Sequence, residues 1–150
     1  MFHRLETIMR SALTEERVPL SLDALDIDHI LPQSWYAYWD LPDGTKVTEN
    51  QAHDAILLEL AGQPLEPRAA AAATRERYIP RIGNLTMVHY GVNRSLQNHA
   101  FDAKRQAFFE HSHLQLNRAL TAAKGWSEEA IQDRGEKLFG FALKLWRSPV

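Results

Sequence analysis

The sequence predicts an α+β fold that is mostly α, and the spacing of its apolar residues is the main reason. Apolar residues recur at helical spacing in several segments. The first of these segments contains Leu5, Ile8, Met9 and Leu13. Two other segments, 22–31 and 82–88, are short, apolar and bounded by Pro or Gly, which is typical of strands. The order of helix, strand, helical insert, strand and further helices therefore predicts the α+β class.

Local signals mark the elements of the first half. The opening helix ends before Pro19, and the first strand ends before Pro32, because a proline ring does not fit the interior of regular structure. The run 42–44, Pro-Asp-Gly, predicts a turn. Thr48 and Gln51 have the spacing of a capping box, which predicts that the next helix begins there.

Helices dominate the predicted second half. They are expected over 69–78, over 93–96 and onward through 101–111, over 114–123, and from Ser127 to near the end. Gly83 is expected to open the second strand. Ser127 is a typical N-cap residue, and acids follow it in the first turn. Phe101, Phe108 and Phe109 are expected in the core.

Composition limits the class of protein. With 150 residues and 45% hydrophobic residues, the chain fits a single domain spanning 1–150 with a real core. It has no cysteine, which excludes disulfides and thiolate zinc sites. No apolar run approaches the roughly 20 residues of a membrane-spanning helix. We therefore expect a soluble, cytoplasmic protein.

Charge is distributed unevenly along the chain. The net charge is −2, but residues 68–105 hold seven Lys/Arg and only two Asp/Glu. A local excess of positive charge attracts polyanions whatever the total charge. A solvated helix face explains the same pattern, and on charge alone that interpretation is favoured.

The most informative motif is Asp28-His29, which lies within the run 25–34, Leu-Asp-Ile-Asp-His-Ile-Leu-Pro-Gln-Ser. A carboxylate is a suitable ligand for a hard divalent cation, and histidine can take a proton from water near neutral pH. Adjacent side chains of a strand point to opposite faces, so both reach one phosphate only if the strand ends or twists there. For the dipeptide alone, a half-buried structural histidine is the more common explanation.

Further residues change that assessment. Gly83, Asn84, Leu85 and Thr86 follow downstream, and Asn93 lies nine residues after Asn84. Together with 28–34, these residues resemble the HNH nuclease superfamily, which implies a ββα-metal core of two short antiparallel strands followed by a helix, here wrapped by N- and C-terminal helices. Most of the chain resembles the HNH-like C-terminal domain of GmrSD-type, modification-dependent restriction enzymes. The later positions of that family's pattern resemble Phe101, Lys104, Trp126, Ile131, Arg134 and Trp146.

The resemblance assigns a role to each site residue. Asp28 and Asn93 correspond to the metal ligands, and His29 corresponds to the general base. Asn84 resembles the asparagine that ties the loop to the histidine strand and orients the imidazole. Lys104 is expected either to contact phosphate or to be a solvated helix lysine. Asn98 is expected on a helix surface rather than in the site, and Asn93 at the head of its helix.

The same resemblance implies a function. We expect a DNA endonuclease that uses one Mg²⁺ or Mn²⁺ in restriction or anti-phage defence, with no nucleotide cofactor in this chain. The family usually joins this domain to an upstream ParB-like nucleotide-hydrolysing domain, so the chain is either an excised C-terminal domain or the partner of a separate subunit. Asp28 stands where many members have Glu, which shortens the reach of the ligand.

Two other functions compete with the enzyme. The chain could be a catalytically weak or inactive nucleic-acid-binding module of the same fold, or a helical interaction domain in which the Asp-His pair is structural. The aromatic run 35–39 is expected to pack in the core, with base stacking as the sharper alternative. His3, His53, His111 and His113 show no joint ligand pattern, and His89 and His99 are expected to be exposed polar residues.

Overall fold

The computed structural model describes residues 1–11 and 23–146, and it confirms the α+β, mostly α class. The helices are α1 (Phe2–Ser11), α2 (Glu49–Leu60), α3 (Pro67–Tyr78), α4 (Tyr90–Leu96), α5 (Phe101–His111), α6 (Gln115–Thr121) and α7 (Glu128–Leu145). The strands are β1 (Leu25–His29) and β2 (Leu85–His89), and short 3₁₀ turns cover Trp35–Ala37 and Ile82–Asn84. Within the described ranges, none of these helices has the length and apolarity to cross a membrane.

The two strands form an antiparallel pair that leads directly into α4. Asp28 lies opposite Thr86, and His29 lies opposite Leu85 at the end of the ladder. Because β2 ends at His89 and α4 begins at the next residue, the chain shows the order β, β, α that the sequence predicts.

Signals that act over one helical turn predict the element ends well. Thr48 and Gln51 form the full capping box at the start of α2, and Ser127 accepts a hydrogen bond from the N–H of Ala130 at the start of α7. Gly44 occupies the predicted turn with φ +81°. Leu13, Pro19 and Leu22, which the sequence places in and after the first helix, lie outside the described residues.

Three local predictions are wrong. The second strand begins at Leu85 rather than Ile82, because the residues before it form a 3₁₀ turn against α7. Asn93 is the fourth residue of α4 rather than its head. That helix does not continue into α5, since Gln97 interrupts it with φ 33°.

The prediction that Phe109 lies in the core is also wrong. Its side chain is 73% exposed, whereas Phe101, Lys104 and Phe108 are buried. Those three residues recur at helical spacing and form the inward face of α5, so the next residue along the helix is turned away by about 100°.

Among the residues that the structure describes, the buried apolar side chains form two clusters, and the neighbours Met87 and Val88 of β2 belong to different ones. Trp35, Trp39, Phe101 and Phe108 belong to the first, and Met87 belongs to the second, with residues of α1, α6 and α7. The indole N–H of Trp35 donates to Glu76, and that of Trp39 donates to the carbonyl of His99. The predicted core packing of the aromatic run 35–39 is therefore confirmed for its two tryptophans, whereas Tyr38 is exposed.

Candidate active site

The first strand ends where the candidate site begins. Asp28 and His29 are its last two residues. The N–H of Ile30 makes one more bond in the same register, to the carbonyl of Asn84 at 2.9 Å, but the N–H of Asn84 donates to Arg81 instead of returning to β1, so the ladder stops there. The buried Pro32 follows. The strand therefore ends at Asp28 and His29, as the sequence predicts.

Asp28 and Asn93 are brought together. The end of the Asn93 amide group lies 3.2 and 3.3 Å from the two carboxylate oxygens of Asp28. With its nitrogen turned toward Asp28, the amide donates to both oxygens. With its oxygen turned there, two acceptors face each other, and a cation between them is what makes that arrangement favourable.

Lys104 reaches the same carboxylate from α5. Its Nζ lies 2.6 Å from the carbonyl oxygen of His29 and 3.3 Å from Oδ2 of Asp28. The side chain is 0% exposed, and burial lowers its pKa, an effect that Asp28 opposes. Lys104 is thus neither a solvated helix lysine nor placed to meet a phosphate from solvent. It fixes the end of β1 and balances the charge of Asp28.

His29 is half-buried beside these groups. Burial is the largest influence on its pKa, which is lowered from the ordinary value of 6.5; Asp28 raises it and Lys104 lowers it further. The imidazole is therefore predominantly neutral at pH 7 and able to accept a proton.

Asn84 ties the 3₁₀ turn to the chain just after His29. Its amide nitrogen donates to the carbonyls of Leu31 and Ile79, and its amide oxygen accepts from the N–H of Leu31 and from the indole of Trp126. The expected tie is therefore present. Within the described part of the chain the His29 imidazole is not a partner of this amide, so Asn84 acts on the backbone that carries the histidine.

A family model described as GmrSD restriction endonucleases, C-terminal domain, matches residues 2–141. The chain belongs to this family. No curated protein and no solved structure gives a match. Membership identifies the chain as a domain of the restriction-endonuclease type, a class of nuclease.

This family member supports its site through α7. Arg134 is buried, and its Nη1 donates to the carbonyls of Gly83 and Leu85, both at 2.7 Å. Its Nη2 reaches Thr86 Oγ1 and the Leu116 carbonyl. Burial lowers the pKa of Arg134 to about 10, so the guanidinium stays charged at neutral pH. The late Arg of the family pattern was visible in the sequence, but its contact with the residues around Asn84 was not.

Gly83 lets α7 come this close. A Cβ built on Gly83 would lie 1.9 Å from the carbonyl oxygen of Ile131 and 2.8 Å from the nitrogen of Gly135. The glycine of the Gly-Asn-Leu-Thr motif is thus required for close backbone approach rather than for opening a strand.

The donor set suits a hard cation with few protein ligands. Over 1–11 and 23–146, no three His, Cys, Asp or Glu side chains converge. The Asp28 carboxylate, 21% exposed, and the Asn93 amide oxygen are both oxygen donors of the kind that Mg²⁺ and Mn²⁺ take, and Mg²⁺ keeps several waters in such sites. The residues present therefore fit one divalent cation, which these two side chains would hold. The six histidines other than His29 are all exposed.

Asn98 takes no part in this cluster. It lies in the turn after α4 rather than on a helix surface, and its side chain forms no hydrogen bond to any residue that the structure describes. Asp28 and Asn93 are therefore in contact, His29 follows Asp28 along the strand, and Lys104 and Asn84 bond to the chain around them.

Proposed function

We propose that this domain is a divalent-metal-dependent endonuclease that hydrolyses DNA phosphodiester bonds. The observation that carries the proposal is the meeting of Asp28 and Asn93 beside the neutral imidazole of His29. Membership of a restriction-endonuclease family supports nuclease activity and supplies DNA as the substrate class.

In the proposed reaction, His29 takes a proton from a water molecule. The water oxygen bonds to phosphorus as the bond from phosphorus to the 3′ oxygen breaks, and the departing oxygen takes a proton from solvent. The products are a 5′-phosphate and a 3′-hydroxyl. A positioned base of this kind contributes typically 10²–10⁴ in rate.

Four other residues prepare this reaction. Asp28 and Asn93 would hold one Mg²⁺ or Mn²⁺, which would supply positive charge to stabilise the negative charge that develops as the bond breaks. Lys104 holds the His29 carbonyl and Asp28 in place from the buried side. Asn84 fixes the chain that follows His29 through both hydrogen bonds to Leu31. Lys104 and Asn84 are positioning residues, since both are fully buried.

A plasmid assay tests the proposal. Wild-type protein with Mg²⁺ or Mn²⁺ should nick or linearise supercoiled plasmid, and EDTA should stop it. His29→Ala should slow nicking by about 100-fold or more with an unchanged circular-dichroism melt. His53→Ala removes an exposed histidine from α2 and is the matched control. Nicking that survives His29→Ala would show that another group is the base.

One observation favours a second function, a nucleic-acid-binding module with little or no turnover. Lys104 and the Asn93 amide can together satisfy the Asp28 carboxylate without any metal. A module of this kind would bind DNA in a salt-dependent manner but leave plasmid intact with excess Mn²⁺. The same plasmid assay, paired with a binding measurement, separates the two functions.

We further propose that cleavage serves restriction of foreign, modified DNA in the cytoplasm, together with an upstream ParB-like nucleotide-hydrolysing domain or subunit. Family membership supports this role. Phage plating tests this role by comparing cells that carry the wild-type protein with cells that carry the His29→Ala variant. Equal plating on the two would count against defence.

A further inference from the structure

An exposed group of three side chains lies at the start of α4, and we call it the α4 cluster: His89, Tyr90 and Arg94. The rings of His89 and Tyr90 are stacked, with centroids 4.5 Å apart and planes at 29°. The guanidinium carbon of Arg94 lies 5.9 Å from the Tyr90 ring centroid. Tyr90 is 48% exposed, and the other two side chains are exposed as well. Core packing therefore does not account for this group.

The α4 cluster adjoins the candidate metal ligands. Tyr90 and Asn93 are three residues apart on α4, which makes their side chains neighbours on the helix surface, and Asn93 contacts Asp28. The N–H of Tyr90 donates to the carbonyl of Ala24, 3.0 Å away, so the start of α4 is fixed to the beginning of β1. A DNA strand bound across Asp28 and Asn93 would therefore pass this cluster within one or two nucleotides.

Arg94 differs from the other cations of 68–105. Arg75, Arg77, Lys104 and Arg105 each form an ion pair with a carboxylate, while Arg68 and Arg81 hydrogen-bond to neutral oxygens. For the residues that the structure describes, Arg94 is the member of this set whose N–H groups take no partner. The five donors of its planar guanidinium are free for the oxygens of an anion such as a phosphate.

His89 adds a second donor to the same surface. Its Nδ1 accepts from the N–H of Gly91 at 3.2 Å, so in the neutral ring the proton is on Nε2. The Tyr90 ring is stacked on His89, but the residue remains 48% exposed, and exposed aromatic rings pack against nucleotides without sequence preference. The three side chains thus combine two hydrogen-bond donors with an aromatic ring, a combination suited to binding the phosphates and bases of a nucleic-acid strand.

We propose that the α4 cluster binds the DNA strand next to the phosphate that is cut, with Arg94 on a backbone phosphate and Tyr90 against the adjoining nucleotide. The inference rests on the proposed function, because it takes the substrate strand as the ligand. It assigns DNA contact to three residues outside the catalytic group, and it predicts sequence-blind, salt-dependent binding.

Anisotropy of a fluorescein-labelled duplex in EDTA, where the metal-dependent cut is switched off, measures this contact. From about 50 to about 200 mM salt, Arg94→Gln should weaken binding several-fold and reduce the slope of log K against log salt by about one. Arg94→Lys should recover most of the slope. On a labelled single-stranded oligonucleotide, whose bases are open, Tyr90→Ala should weaken binding about fivefold or more, and Tyr90→Phe should not.

Arg77→Gln is the matched control. It changes the net charge by the same amount at a 51% exposed side chain, but Arg77 is already paired with Glu59 at 2.5 Å. If Arg94→Gln and Arg77→Gln weakened DNA binding equally, net charge alone would explain the loss of affinity, and the inference would be overturned. A slope for Arg94→Gln equal to that of the wild type, or no binding by the wild type at all, would also overturn it.

Plasmid nicking by the same preparations keeps the two proposals apart. A wild type that nicks plasmid while Arg94→Gln keeps the full salt slope refutes the α4 cluster alone. A wild type that binds with the expected difference between Arg94→Gln and Arg77→Gln but does not nick with Mn²⁺ refutes the nuclease and supports the cluster.

Discussion

Two polar networks meet at the same pair of strands, and they differ in how completely their groups are bonded. Behind the strands, Arg134 and Asn84 are buried, and each makes four hydrogen bonds, almost all to backbone. In front, Asp28 is partly exposed, and the Asn93 amide can present either end to it. Buried and fully bonded groups therefore lie behind the site, while the side chains in front can still exchange partners where a metal and substrate would enter.

The largest expected effect comes from breaking the rear network at Gly83. Gly83→Ala places a methyl group 1.9 Å from the Ile131 carbonyl oxygen, so α7 or the 3₁₀ turn must move. We expect a loss of at least about 3 kcal/mol in the free energy of unfolding, measured by urea titration.

Gly140→Ala is the control for that change. Gly140 lies inside the same helix, α7, and nothing lies within 4 Å of its built Cβ. Alanine there should raise the free energy of unfolding by about 0.5–1 kcal/mol. If the two variants shifted stability in the same direction, the close approach of Gly83 to α7 would not be what requires a glycine.

The next effect tests the link between the two networks. Lys104→Met removes the buried ammonium that holds the His29 carbonyl and Asp28. Nicking should slow by about 10–100-fold, as is usual when a residue supporting a metal ligand is lost. The unpaired carbonyl should also cost about 1–3 kcal/mol of stability. Lys124→Met, at an exposed position, should change neither. Full nicking activity in Lys104→Met would mean that the site positions itself without this contact.

Features that depend on interactions between residues close in sequence are predicted correctly. The capping box of Thr48 and Gln51, the N-cap Ser127 and the turn at Gly44 depend on neighbours within one helical turn, and all are present. The candidate site residues could be listed because their types and spacing match a known family. Their convergence in space was an expectation that only the packing of β1 against α4 could test.

Burial and long-range contacts, which depend on tertiary packing, could not be predicted from the sequence. Lys104 and Arg75 read as solvated or DNA-facing cations, yet both are buried, because α5 and α3 turn them toward backbone and carboxylate partners. Phe109 reads as core but lies one residue outside the buried face of α5. Trp126 and Arg134 fit a family pattern, but their bonds to Asn84 and Gly83 span 42 and 51 residues. No local signal identifies contacts at that separation.

A smaller effect is expected from Trp126→Phe. The ring keeps its stack on Phe101, whose centroid lies 5.6 Å away, but the indole N–H to Asn84 Oδ1 is lost. That oxygen still accepts from Leu31, so we expect a loss of about 0.5–1.5 kcal/mol in urea unfolding. Trp146→Phe, at a half-exposed indole beyond α7, should have almost no effect. Equal losses for both variants would argue against the Asn84 bond as the cause.

The smallest effect is the pH dependence of stability without metal. Burial lowers the pKa of His29 below the ordinary 6.5, so the folded state binds fewer protons there than the unfolded state as the pH falls. The contribution of the neutral imidazole to stability is thus complete above pH 6.5 and is lost as the pH falls through the lowered pKa. In EDTA, the urea midpoint should fall less steeply with acid in His29→Ala than in wild type, and His53→Ala should keep the wild-type slope. Parallel curves for all three proteins would show that His29 titrates alike in both states and is not sheltered at the end of β1.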